Sequence, residues 1–149
     1  MDKALRFRLA VNDDHACLLN CDPFAQVTLA RQTWLKVALA ARRIQVAECS
    51  EAFEGFVVIE HTFFGHGFVS LIAVAPDARR KGSALALLAE VERVCNSSKL
   101  FTSTNTSNIA ALKLFLRAGF VESGHIENLD AGDTELVYVK PLYPEKPPA

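Results

Sequence analysis

The chain has no uninterrupted apolar run of the roughly 18–20 residues that a bilayer-spanning helix requires. Its first residues, Met1 to Arg8, scatter charges where a secretory leader would carry an apolar core. Neither sign of charge is in excess: 16 basic and 17 acidic side chains give a net charge of −1. With no basic stripe and no interleaved aromatics, a nucleic-acid surface is not expected. Cysteine is scarce. Cys17, Cys21, Cys49 and Cys95 form no Cys-x-x-Cys, and the pair Cys17/Cys21 lies four apart on an expected helix without further ligands nearby, so small buried side chains are expected and no metal. Two phosphate motifs are also missing, the Gly-x-x-x-x-Gly-Lys-Ser/Thr loop and a Gly-x-Gly-x-x-Gly within a βαβ unit. These absences point to a cytoplasmic protein without a membrane or nucleic-acid partner.

What is present is a globular composition, half hydrophobic and 22% charged. A chain of 149 residues buries about 68–70% of its extended surface on folding, enough for one core. One domain over residues 1–142 is expected, followed by a flexible proline-rich tail over 143–149. Repeats and linkers are lacking.

Period-two alternation predicts a strand over Ala4–Val11, then helices over His15–Cys21 and about Ala25–Arg43. Strands are expected at Ile44–Cys49, Gly55–Phe63 and Val69–Ala75, with Gly65-His66-Gly67 as the turn before the third of these. A helix over Arg80–Asn96, a strand over Lys99–Ser103, a helix over Ser107–Ala118 and strands over Phe120–Asn128 and Glu135–Lys140 complete the order. Such an order implies an α/β fold, a mixed sheet with helices on both faces.

The most informative stretch is Val74-Ala75-Pro76-Asp77-Ala78-Arg79-Arg80-Lys81-Gly82-Ser83-Ala84, which joins a buried strand to an amphipathic helix. The free amides at the start of that helix, about Arg80 to Ala84, and the helix dipole favour an anion there. Gly82 and Ala84 put no bulk between backbone and ligand, and Arg79, Arg80 and Lys81 add charge-assisted bonds of roughly 1.5–3 kcal/mol each when aligned. The same three cations also suit a solvated face.

In these residues the chain resembles the GCN5-related N-acetyltransferases. Their acetyl-CoA motif, Arg/Gln-x-x-Gly-x-Gly/Ala after a strand ending in Val-x-Pro, reads here as Arg79, Gly82 and Ala84 after Val74 and Pro76. A second block, Asn108-Ile109-Ala110-Ala111-Leu112-Lys113-Leu114-Phe115-Leu116-Arg117-Ala118-Gly119-Phe120, is similar to the family's Asn-x-x-Ala-x-x-Leu-Tyr-x-x-x-Gly-Phe. The likeness is strong over about Phe64 to Leu142. It implies a mostly antiparallel sheet of about seven strands whose fourth and fifth members splay. It further implies pantetheine on the backbone of Ile72, Ala73 and Val74, pyrophosphate on Arg79 to Ala84 including Ser83, and coenzyme contacts from Asn105, Asn108 and Phe115.

Acetyl transfer to an amine needs a polarised carbonyl, a neutral amine and a departing thiolate. The amide of Val74 is the candidate for the first. An alkyl amine of pKa ~10.4 is about 0.04% neutral at pH 7, so a proton acceptor is wanted. Glu60 is the favoured base, with His61, His66, Glu127, His125 and His15 weaker candidates. Where the family carries a tyrosine this chain has Phe115, so a water, Ser103, Thr104 or Tyr138 would have to serve as the acid. Asn105 and Asn108 have a capping alternative, Arg117 reads either as a phosphate contact or as decoration, and Trp34 as pocket wall or core. The acidic stretch Glu127–Glu135 would draw a cationic acceptor, or is ordinary hairpin chemistry. The expected function is direct acetyl transfer to a primary amine of a small molecule. A protein acceptor and a non-catalytic acyl-CoA-binding module are the alternatives, and a homodimer through the C-terminal strands is left open.

Overall fold

A computed structural model describes residues 4–142; the expected tail over 143–149 lies outside them. The strands are β1 (Arg6–Leu9), β2 (Ile44–Cys49), β3 (Ala52–Phe63), β4 (His66–Val74), β5 (Lys99–Asn105), β6 (Val121–Asp130) and β7 (Asp133–Pro141). The helices are α1 (His15–Cys21), α2 (Pro23–Val27), α3 (Leu29–Ala40), α4 (Ser83–Val94) and α5 (Ile109–Arg117). The strands form a seven-stranded sheet in the order β1-β2-β3-β4-β5-β7-β6. The step from β4 to β5 is parallel, and β1-β2, β2-β3, β5-β7 and β6-β7 are antiparallel. The mixed, mostly antiparallel fold expected from the sequence is the one observed.

The chain divides into two compact units. One holds the described residues up to Ile59 together with Leu71–Val91, the other Glu60–Ser70 together with the described residues from Glu92 onward. In the first unit, Leu18, Cys21, Ala25, Leu35, Ala38 and Leu39 from the helices meet Ile44, Val46, Phe56 and Val58 from β2 and β3. The even numbers are the physical reason: residues two apart in a strand share a face. On the opposite face Gly55 lies against Leu87 of α4, so this part of the sheet carries helices on both sides. Arg8 fastens the edge, binding Asp14 through both terminal nitrogens at 2.8 and 2.9 Å and Glu48 through Nε at 3.1 Å. That fork, together with the Val11 amide, holds the Asp14 carboxyl below the usual carboxylate range.

Most element ends shift by one to three residues from the expected ones, and three differences have a clear physical cause. The helix expected over Ala25–Arg43 is two helices, because Asp22 and Pro23 start it two residues early and Thr28 is extended (φ −130°, ψ 112°). Asp22 caps Phe24 at 3.2 Å, and Gln32 satisfies the Ala25 carbonyl left open by the break. The turn before β4 is Phe64-Gly65, not Gly65-His66-Gly67: both residues have positive φ, 50° and 78°, as a two-residue hairpin demands. The helix expected from Arg80 begins at Ser83, because Arg80 (φ 65°) and Gly82 (φ 83°) are left-handed and cannot continue a helix.

In the second unit, Phe115 and Tyr138 are buried, with ring centroids 5.8 Å apart, and Phe120 packs on Phe115 at 5.9 Å. Lys140 reaches back to donate to the Ala118 carbonyl at the end of α5 (2.6 Å) and pairs with Glu92 at 2.7 Å.

Candidate active site

β4 ends at Val74, and Pro76 opens a single 3-10 turn over Pro76–Ala78 before the chain swings through Arg79–Gly82 into α4. The first helical bond runs from the Ala86 amide to the Gly82 carbonyl at 3.0 Å. The amides of Ser83, Ala84 and Leu85 precede that bond and stand at the positive end of the α4 dipole. Among the described residues nothing lies within 4 Å of where a Cβ at Gly82 would stand, so the space over the turn is open, while φ of +83° disfavours any side chain there. Arg79, Arg80, Lys81 and Gly82 are exposed, Ser83 is buried and Ala84 is half-buried. Open space, free amides and three cations fit a phosphoanhydride, which needs many donors and no intervening carbon.

Beneath this turn the strand end is tightly placed. The pairing Ala47↔Gly55 is followed by Glu48↔Phe53, so Glu54 is an extra residue, a bulge in β3. Its carbonyl accepts from the Ala75 amide at 2.8 Å. Ile72, Ala73 and Val74 are half-buried, and Ala73 together with Leu71 and Ala75 packs on the α1–α3 side of the first unit.

The second unit holds the other expected residues. β4 and β5 pair over Gly67↔Leu100, Phe68↔Phe101 and Val69↔Thr102, three residues of two longer strands. Thr102 Oγ1 donates to the Val69 carbonyl at 3.0 Å. Asn108 caps α5, its Oδ1 accepting from the Ala111 amide at 3.2 Å, and Asn105 donates to Asp130 at 2.9 Å and to the Asp133 carbonyl. Ser107 donates to Asp133 from backbone and side chain, and Ser103 Oγ donates to Glu135. Three carboxylates of the acidic hairpin are thus tied to β5 and to the turn into α5. Glu127 is exposed, with His125 at 3.6 Å. Glu60 is half-buried and accepts from Ser70 Oγ, His61 is exposed, and Nδ1 of His66 is buried without a partner among the described residues. Arg117 is exposed in the last turn of α5, where a cation suits the helix dipole. Trp34 is half-buried against the first unit's core with Arg31 over its ring at 5.5 Å.

Sequence reasoning missed Glu54. It is only 7% exposed and lines a cavity of about 560 Å³ whose other walls include Cys17, Asn20, Phe53, Asp77 and Lys81. The available signal was an acid between Phe53 and Gly55 at the head of an apolar run, left outside the expected strands Ile44–Cys49 and Gly55–Phe63. Among the described residues no His, Cys, Asp and Glu group is arranged to hold a metal, and no helix is long and apolar enough to cross a membrane.

A mixed sheet with one parallel step, leading through an open glycine turn into a helix N-terminus, defines a class of coenzyme A-dependent acyltransferases. The chain matches the acetyltransferase (GNAT) family over residues 10–120 and belongs to it. It is 31% identical to a GNAT-family acetyltransferase from Bacillus cereus, covering 93% of this chain and 97% of that one with a TM-score of 0.84. A Desulfovibrio desulfuricans protein assigned to the same family is 22% identical over 93% and 99% of the two chains, TM-score 0.77. YncA of Salmonella typhimurium, determined with its cofactor acetyl-CoA, shares the fold at 18% identity over 93% and 94%, TM-score 0.71. No curated protein matches the sequence. The protein is therefore an acetyltransferase of this family, and acetyl-CoA is the cosubstrate the fold uses.

Proposed function

We propose that the protein transfers acetyl directly from acetyl-CoA to a primary amine of a small molecule, in a ternary complex and without an acyl-enzyme. The observation that carries the coenzyme half is the turn at Gly82, open above its backbone and backed by the free amides of Ser83 to Leu85. When bound, the coenzyme supplies an activated acetyl thioester. The chain's part is to hold and orient. Arg79, Arg80, Lys81 and the amides through Ala84 take the pyrophosphate, and the backbone of Ile72 to Val74 takes the pantetheine arm, with the Val74 amide turned to the acetyl carbonyl. Asn105, Asn108 and Phe115 are proposed as coenzyme contacts because of the second family block. The capping bond of Asn108 leaves the second lone pair of its Oδ1 and its amide nitrogen for that task. Glu60 receives the amine's proton, its carboxylate oriented by the Ser70 hydroxyl.

Residues up to Leu142 act in this reading as one transferase domain in the cytoplasm. A small-molecule acceptor is the reading we favour, a protein amine being the alternative. Phe115 in place of the family's tyrosine favours a second reading, an acyl-CoA-binding module without turnover. Calorimetric titration with acetyl-CoA and CoA, with ATP and NAD as controls, followed by a primary-amine panel with thiol release as readout, decides between them. Selective binding with thiol release on any amine upholds the transferase. Binding without release across the panel upholds the module, and no binding removes both.

A further inference from the structure

The cavity beside the β3 bulge is lined by an acid that the reaction as described does not use. Glu54 is 93% removed from solvent, since only 7% remains exposed, and among the described residues no hydrogen bond or ion pair meets its carboxylate. Its carboxylate oxygens are not sealed in the core but open to the cavity, where a cationic group or a donor can reach them. The bulge makes the placement rigid: Glu54 has no partner residue in β2, and its carbonyl is held by the Ala75 amide.

The cavity's remaining chemistry agrees. Glu54 and Asp77 give two carboxylates against the single ammonium of Lys81, so the lining carries a net charge of −1. The Phe53 ring, Cys17, Ala75 and Ala78 supply apolar wall for a methylene chain. A volume of about 560 Å³ lies within the range of roughly 300–1,000 Å³ typical of small-ligand sites. A phosphate would be repelled by Glu54, which separates this cavity's ligand from the anion suited to the Gly82 turn.

We propose that this cavity binds an alkylammonium group, with Glu54 as its anion, and that Glu54 thereby selects cationic acceptors. Only the word acceptor rests on the acetyltransferase reading; the ammonium site stands on the cavity itself.

The test uses butylammonium as probe, with butanol as the uncharged control and butyrate as the anionic one, followed by backbone amide shifts of the full chain. Butylammonium should saturate shifts at Asn20, Phe53 and Ala78, butanol and butyrate should not, and Glu54→Gln should weaken binding about tenfold or more, the loss of roughly 1.4 kcal/mol. Cys17→Phe, which fills the cavity and leaves Glu54 in place, should weaken it as well, and it decides the matter if Glu54→Gln does not fold. Wild-type affinity in both variants, equal binding of butanol, or shifts confined to other residues overturns the proposal. Acetyl-CoA titrated into the same sample is read separately. Its failure to bind removes the transferase reading and leaves the ammonium site, whereas failure of butylammonium removes the site alone.

Discussion

Gly55 of β3 backs directly onto Ala73 of β4: a Cβ at position 55 would stand 2.6 Å from the Ala73 carbonyl oxygen and 3.1 Å from Cα of Val74. No real side chain tolerates the first contact, and the obstacle is backbone, so the strands would have to part. The residues displaced are those proposed to carry the pantetheine arm. Gly55→Ala should therefore raise the KM for acetyl-CoA more than it lowers kcat, and should cost about 1–3 kcal/mol of stability through overpacking. Steady-state kinetics with denaturant unfolding checks both. An unchanged KM would detach this strand end from the coenzyme.

The turn above it gives a complementary outcome. Gly82→Glu places a charged side chain in the open space over the α4 amides and holds it at a φ of +83°, a conformation costing an L-residue about 1–2 kcal/mol. Acetyl-CoA affinity should fall by about tenfold or more in calorimetry, while circular dichroism keeps its native form. Wild-type affinity in this variant would remove the phosphate role of the turn.

The legible parts of this protein were local. Gly82, Asn108 and Gly119 act through their own turns and caps, so a few consecutive residues disclose them. What was not legible depends on partners far along the chain. Asp130, Asp133 and Glu135 read as free acids of a hairpin, but their partners Asn105, Ser107 and Ser103 lie 25 to 32 residues earlier. The bulge that isolates Glu54 is a matter of register between β2 and β3, which alternation within β3 alone does not encode. The break at Thr28 was hidden for a similar reason, since Leu29–Leu39 propagates a helical pattern and the start at Pro23 is fixed by Asp22 and by Arg31 at 3.1 Å.

Asp14 sets a pH dependence. Its pKa is lowered chiefly by the hydrogen bonds from Arg8, and a carboxylate with a depressed folded pKa adds stability that is full above the unfolded value near ~3.9 and lost as pH falls through the folded one. Arg8 keeps 36% of its side chain exposed, so solvent screening holds the effect below that of a buried pair. Asp14→Asn should destabilise by about 1–2 kcal/mol at pH 7, and the gap to wild type should close as pH is lowered through the folded pKa. A gap that persists at low pH would mean that packing, not charge, is lost.

All four cysteines are thiols, and only Cys17 is exposed. Burial pushes the Cys21 thiol up to about 11, which leaves about one part in a thousand as thiolate at pH 8. A disulfide reagent at pH 8 should titrate one thiol quickly in the native protein and the other three only on unfolding. Cys17→Ser should abolish the fast phase, and two fast thiols would show that α1 opens on the timescale of the reaction.

Gly119 closes α5 in a left-handed conformation, φ 92°, with the space for a Cβ taken by Lys140, whose Cε and Nζ would lie 3.2 and 3.3 Å away. The same Nζ satisfies the Ala118 carbonyl and pairs with Glu92, so a methyl at 119 acts twice: it strains the backbone and pushes on the group that caps the helix. Gly119→Ala should cost about 1–2 kcal/mol from the backbone alone, and more if Lys140 is displaced. The double variant Gly119→Ala with Lys140→Met separates the contributions. If displacement matters, the glycine substitution costs less once Lys140 is gone, a coupling that a double-mutant cycle in urea reads directly. Additive losses would assign the whole effect to the left-handed turn.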